Sequence, residues 1–539
     1  MNRLQAACLA ALLLAACGGG GGGGSNEGNV NTGTGSTGTP TGSLPGPAAN
    51  CDQQTVTGPA RNDGLRIANV QWLQVVGQNN DANTTLRGSK TARLRVDLIA
   101  NTSRTSPARR ELRVQDPATG NCSLLSLSGP SRVPTSVDVS TLANSYTVDI
   151  PAASMKPGSR FFLYLDDSTG RSTTELAQVT RTLAPTIANA ASETLFVIPI
   201  RFAGSNGYAP ANDTLTRLLT RLHPIGDVTI NTAAAFTPPT ALKAAETAAA
   251  RNGSQYAGTL TEMQNLLSEV DDHCQTLIGR NTRAATAPKC LGVFPDNLTF
   301  RPSPTSGSIY SGLAYVGGST MITQSLTQVD NAGVTSAYQG NHWLADRALT
   351  VAHEYGHLLD LDHAGCGGST TLDLRLYLDG RLGGGNGLDI ERNYYFSSAG
   401  RNSEFADLMS YCGKEWTSDR GYLASLNYRT PATAARTAAR ETGGSQWLKL
   451  TRTDNGWRLR PVDFAPATLA TSEQSLDVFS DRGQERLPLR QAVVGDGPGS
   501  QGPYYIDLGD RQLTRLVMPA VGSLPATVWT ATDWLRTGG

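Results

Sequence analysis

Residues 353–363 read HEYGHLLDLDH. The chain has six histidines in 539 residues, and three of them fall in these eleven positions. His353 and His357 are four apart, so a helix carries both rings on one face, one turn apart, where both reach one metal ion. Glu354 sits one position round, within reach of a metal-bound water. Two histidines leave a tetrahedral Zn²⁺ short of a protein ligand. His363 supplies the third only if the chain leaves the helix first. On an unbroken helix it would lie about 9 Å further along the axis and point elsewhere. The expected site is therefore one zinc ion held by His353, His357 and His363, with Glu354 as general base.

Outward from this stretch, the residues before it alternate between strand and helix patterns. The run 194–202, TLFVIPIRF, reads as a strand buried on both faces. NDTLTRLLTRLHP, 212–224, carries Leu215, Leu218, Leu219 and Leu222 as one helical stripe. A second helix is predicted to open at Thr259 with a capping box to Glu262 and to end at Gly279. SGLAYVGGSTMIT, 311–323, reads as a single strand with glycine bulges. Such alternation predicts an α/β layer domain over 186–430.

Both flanks read as β. Over 51–185, short alternating runs such as TARLRVDLIA predict a β-sandwich, with Leu94, Val96 and Leu98 inward and Arg93, Arg95 and Asp97 towards solvent. After a linker over 431–445, the segment 446–539 predicts an all-β domain. Its clearest signal is Asp454-Asn455-Gly456 between two alternating runs, a hairpin turn.

The first 17 residues combine Arg3, an apolar run from Leu4 to Ala16, and LAAC ending at Cys17. This run of thirteen residues, apolar but for Gln5, is too short to span a bilayer, and the proportions are those of an export signal. LAAC resembles a bacterial lipobox, which implies lipidation of Cys17 and membrane attachment through that lipid. Residues 18–50 are nearly all Gly, Ser, Thr, Asn and Pro and predict a flexible tether. The expected location is the cell envelope, at the outer membrane or cell surface. Lys plus Arg and Asp plus Glu both total 45, and no basic run occurs, so nothing points to nucleic acid. Once Cys8 and Cys17 are set aside, Cys51, Cys122, Cys274, Cys290, Cys366 and Cys412 remain. An even number in an exported chain predicts disulfides. Fifteen pairings are open; pairing of sequence neighbours, 51–122, 274–290 and 366–412, is the expectation.

HEYGHLLDLDH resembles the long zinc signature of the metzincin metallopeptidases, H-E-x-x-H-x-x-G-x-x-H. The later DLMSYC, 407–412, resembles that family's methionine turn. The flanking glycine-rich stretches look like secreted bacterial members related to the reprolysin-like and mucin-cleaving groups. The resemblance covers about 190–430. It implies a methionine floor at Met409, an oxyanion-stabilising role for Tyr411, and an edge strand within GLAYVGG on which a peptide is laid. It also implies a zinc endopeptidase acting on extracellular or envelope proteins or glycoproteins. The alternative is a catalytically silent surface adhesin or binding lipoprotein on the same scaffold; a zinc hydrolase acting on another substrate is a third reading. One departure stands out. Asp360 occupies the position of the family's glycine, where the helix must end sharply, and aspartate is among the few other residues that adopt positive φ. The acidic loop residues Asp373, Asp379, Asp389 and Glu391 raise a calcium site as the weaker expectation and a solvated loop as the stronger, since no EF-hand spacing occurs.

Overall fold

The computed structural model describes residues 51–52, 63–166, 171–190, 192–208, 210–243, 256–278, 287–301, 309–326, 346–366, 372–382, 385–397, 405–412, 414–429, 447–453, 456–462, 469–495, 503–509, 511–520 and 525–530. The expected signal, Cys17, the tether and the linker lie outside them. Among the described residues the molecule is β-rich, with four substantial sheets and a few helices. No described helix is long and apolar enough to cross a membrane.

The front of the chain forms a five-stranded and a four-stranded antiparallel sheet. Trp72, Leu94, Val96, Leu98, Phe161 and Leu163 share their core, so the predicted inward residues point inward. The other face departs from expectation: Arg93, Arg95 and Asp97 are buried too. The cause is a segment from far downstream. Asn386–Asp389 and Tyr394–Ser397 add two strands beyond Arg66–Asn79. Tyr395 then covers the outer face, its hydroxyl accepting from Arg95 Nη1 at 2.6 Å. Arg95 also pairs with Asp97 at 3.1 Å and donates to Asp138 O. Polar residues on that face are buried because they are hydrogen-bonded to one another. Among its described residues the front part of the chain also holds one α-helix, Thr173–Val179, started by a capping box between Ser172 and Glu175.

Behind this lies a second five-stranded sheet, in the order Asp227–Thr232, Ser192–Pro199, Lys289–Phe294, Thr320–Gln324, Gly312–Ala314. The first four strands run parallel, and the last is an antiparallel edge. Helices Asn212–Leu222 and Asp346–Leu358 share one apolar cluster with it; helix Leu260–Ile278 shares another. Residues 311–323, expected as one bulged strand, form a hairpin instead. Gly317 has φ +65°, and the amide of Gly318 donates to Tyr315 O at 3.0 Å, which closes the turn.

The last part is a seven-stranded antiparallel sheet. Trp447–Thr453 pairs with Gly456–Val462, with Thr453 opposite Gly456, the predicted hairpin register. The three disulfides join Cys51 to Cys122, Cys274 to Cys290 and Cys366 to Cys412, with Cα separations of 5.6, 6.0 and 5.8 Å. They are the expected neighbour pairs and suit an oxidising environment.

Candidate metal centre

The histidine helix, Asp346–Leu358, ends where the spacing requires. Asp360 has φ +67°. The amide of Asp360 donates to His357 O at 2.9 Å, and that of Leu361 to Gly356 O at 3.2 Å. This pair of bonds is a Schellman cap with Asp360 in the left-handed position. The turn sends the chain back, and the ligating nitrogens of His353, His357 and His363 lie within 4.8 Å of one another. No other such group of His, Cys, Asp or Glu occurs among the described residues.

Neighbouring acceptors set the imidazole tautomers. Nδ1–H of His353 donates to Leu408 O and Nδ1–H of His357 to Leu361 O, each at 2.8 Å. Carbonyls only accept, so in the neutral form of both rings Nε2 is the nitrogen with the lone pair. His363 Nδ1 lies 3.2 Å from the Asp362 carboxylate, and its Nε2 is 2.8 Å from the Tyr411 hydroxyl. Burial pushes the Asp362 carboxyl up, but its bonds to His363 and the nearby imidazoles outweigh that and hold it at about 2. Three imidazoles, each held at Nδ1 by an oxygen acceptor, form a donor set that fits Zn²⁺.

The methionine turn packs beneath. Asp407 accepts from the Met409 amide at 2.8 Å through Oδ1 and from the Ser410 amide at 2.9 Å through its carbonyl. Burial raises the Asp407 carboxyl to about 6, against its hydrogen bonds to Ser418 and the Met409 amide. Met409 is fully buried against Gly356, where a β-carbon would collide with Sδ. Glu354 is buried under the edge strand; a β-carbon on Gly312 would sit 2.6 Å from its Cγ.

Three features were not read from the sequence. Arg375 clamps the turn, donating to Asp360 Oδ2 at 3.0 Å, to Asp360 O, and to Asp373 Oδ2 at 2.7 Å. Asp373 in turn accepts from the Asp362 amide at 3.2 Å. His223, fully buried, donates from Nε2 to Ala352 O at 2.9 Å and packs on Tyr355. Its only sequence signal is a histidine at the end of an apolar helical stripe. Gly495, from the C-terminal part, lies on the His357 ring.

The loop carboxylates raised as calcium ligands are engaged in the same network. Asp373 is taken by Arg375, Asp389 and Glu391 are taken by Arg221, and Asp379 accepts from the Arg381 amide. Arginine side chains neutralise Asp373, Asp389 and Glu391, and among the described residues none of the four belongs to a metal-holding group. No family model matches the chain, and no curated protein matches it.

Proposed function

We propose that this chain is a zinc-dependent endopeptidase of the metzincin type, with residues 186–430 as its α/β catalytic core. The carrying observation is the left-handed break at Asp360, which gathers three Nδ1-anchored histidines above a buried methionine turn. The mixed sheet with an antiparallel edge beside the histidine helix supports the same reading. Zn²⁺, when bound, would supply a Lewis acid that lowers the pKa of a coordinated water from about 16 to about 7.

The chain's own groups divide the remaining work. The Glu354 carboxylate takes a proton from the attacking water and returns it to the leaving amine. The Tyr411 hydroxyl, beside His363 Nε2 and 45 % exposed as a residue, donates to the developing oxyanion. Met409 acts as an apolar floor that keeps His353 in place through the carbonyl of Leu408. The substrate class is extracellular or envelope protein or glycoprotein. The signal-like N-terminus and the LAAC sequence support a lipoprotein attached through Cys17.

The test is Glu354→Gln. Zinc content by atomic absorption should stay at wild-type level, while casein cleavage should fall about 10²–10⁴-fold. Equal cleavage at equal zinc content would refute the assignment. One observation favours the silent-adhesin reading: the centre is sealed from solvent. Glu354 favours chemistry, because a purely structural zinc site has no use for a carboxylate outside the ligand set.

A further inference from the structure

His353 is 4 % exposed, His363 2 %, and Glu354 and His357 not at all. A peptidase with its centre so closed cannot admit a peptide. Tyr411 lies on His353 and His363, and the cover over His357 comes from the C-terminal part of the chain. Beyond the strand Gly483–Ala492, residues 493–495 run antiparallel to residues 314–316, at the end of the edge strand Gly312–Ala314. The Val316 amide donates to Val493 O at 3.0 Å, and the Gly495 amide donates to Ala314 O at 2.9 Å. Tyr315 and Val494 face each other between these two bonds. The bonds use the outward amide and carbonyl of the edge, the groups an added strand would use. Val494 is buried in the same apolar cluster as Leu313 and Tyr315. At Gly495 the backbone lies so close to His357 that a β-carbon would collide with the imidazole at Nε2. Only glycine brings a backbone this near the metal-facing edge of the ring.

We infer that residues 493–495 are an intramolecular occupant of the peptide-binding edge, holding the enzyme latent until the C-terminal segment is displaced. The inference rests on the endopeptidase reading. It reconciles that reading with the sealed centre: the ligands and the base are in place, and a strand of the same chain lies where substrate would lie. A tethered strand acts at an effective concentration on the order of millimolar, so short free peptides compete poorly against it. The competent state is then a minor fraction, and apparent substrate affinity falls by that fraction.

The experiment uses the full-length chain loaded with zinc, as wild type, Gly495→Val and Gly495→Pro. The first substitution adds bulk against His357; the second removes the amide donated to Ala314. Hydrogen exchange of the Val316 amide reports seating of the strand, independently of catalysis. Cleavage of a quenched fluorescent peptide reports access. In both variants, Val316 exchange should rise at least about 10-fold and kcat/KM at least about 10-fold. A synthetic hexapeptide spanning residues 490–495 should inhibit the opened variants. Unchanged exchange and unchanged, Glu354-dependent cleavage in a folded variant overturn the inference and leave the peptidase standing. Faster exchange with no Glu354-dependent cleavage in any variant overturns the peptidase reading, and latency with it. If Gly495→Val does not fold, Gly495→Pro alone decides between these outcomes.

Discussion

At Gly356 two local effects oppose each other. Alanine in a helix interior is favoured over glycine by about 1 kcal/mol. Here, however, the added β-carbon would collide with Met409 Sδ in a fully buried contact. Overpacking costs about 1–3 kcal/mol, so Gly356→Ala should lower Tm rather than raise it. It should also weaken zinc, because the Leu408 carbonyl on the same turn orients His353. A rise in Tm would show that the close approach is absent. Asp360 gives a graded series. Asp360→Val places a β-branched residue at φ +67° and should cost more than about 1 kcal/mol and loosen the metal. Asp360→Asn keeps a residue that tolerates this conformation and loses only the charge facing Arg375, which is half exposed. Such pairs are worth about 0–1 kcal/mol. Thermal melts and zinc content of the two variants check the order. The gathering of the three histidines and the left-handed break were legible in the sequence because both follow from spacing over eleven residues. The partners of that break were not. Arg375 lies fifteen positions on, and nothing local marks it as the residue that makes aspartate serve where glycine would.

At the scale of elements, His223 joins the end of helix Asn212–Leu222 to the histidine helix. A helix C-terminus favours a charged histidine, but burial dominates. Desolvation, with Lys90 and His353 nearby, pushes His223 down to about 3 despite its bond to Ala352 O. The unfolded value is about 6.5. Above that pH both states are neutral and the contribution is complete. Below it the unfolded chain binds a proton that the folded chain refuses. Stability is therefore lost as pH falls from about 6.5 towards 3, by up to about 1.4 kcal/mol per unit. Urea titrations of metal-free wild type and His223→Gln should show a shallower acid slope in the variant; parallel slopes would remove His223 from the account. The Cys366–Cys412 bond brackets the loop between the third histidine and the methionine turn, with a sequence separation of 46. Loop-closure entropy assigns it about 4 kcal/mol. Replacing both cysteines by serine should lower stability on that order, measured by the urea midpoint. Helices were the most legible elements, since an apolar stripe with a cap declares itself. The hairpin at 311–323 was not, because Leu313 and Tyr315 before the turn and Met321 and Ile322 after it are all apolar and buried. Only Gly317 at positive φ marks the reversal.

For the whole molecule, the sequence divided readily into three composition zones, but strand pairing joins them. Asn386–Asp389 pairs with Arg66–Asn79, and Val494 pairs with Tyr315. Contacts between residues hundreds of positions apart leave no periodic trace, which is why they escaped a reading built on local pattern. One buried carboxylate ties two of these parts. Asp271, on helix Leu260–Ile278, accepts from Thr320 Oγ1 of the central sheet at 2.7 Å. It also accepts from Lys449 Nζ of the C-terminal sheet at 2.8 Å. Lys449 is itself buried and reaches Asp272 at 3.2 Å. Burial works against its charge, but Asp271 and Asp272 outweigh that and hold the ammonium well above its usual range. Breaking a buried pair by removing one partner leaves the other charge uncompensated and costs about 3–5 kcal/mol, whereas replacing both with apolar residues is often neutral. Lys449→Met should therefore loosen the C-terminal sheet from the core. Lys449→Met with Asp271→Leu and Asp272→Asn should recover much of that loss, less what Thr320 gives up. Hydrogen exchange over Trp447–Thr453 reads the docking directly. If the single variant exchanges there no faster than wild type, the cluster does not hold the sheet. If it does exchange faster, the same loosening should reach the Val316 amide, because the strand that covers His357 belongs to the sheet that Lys449 anchors.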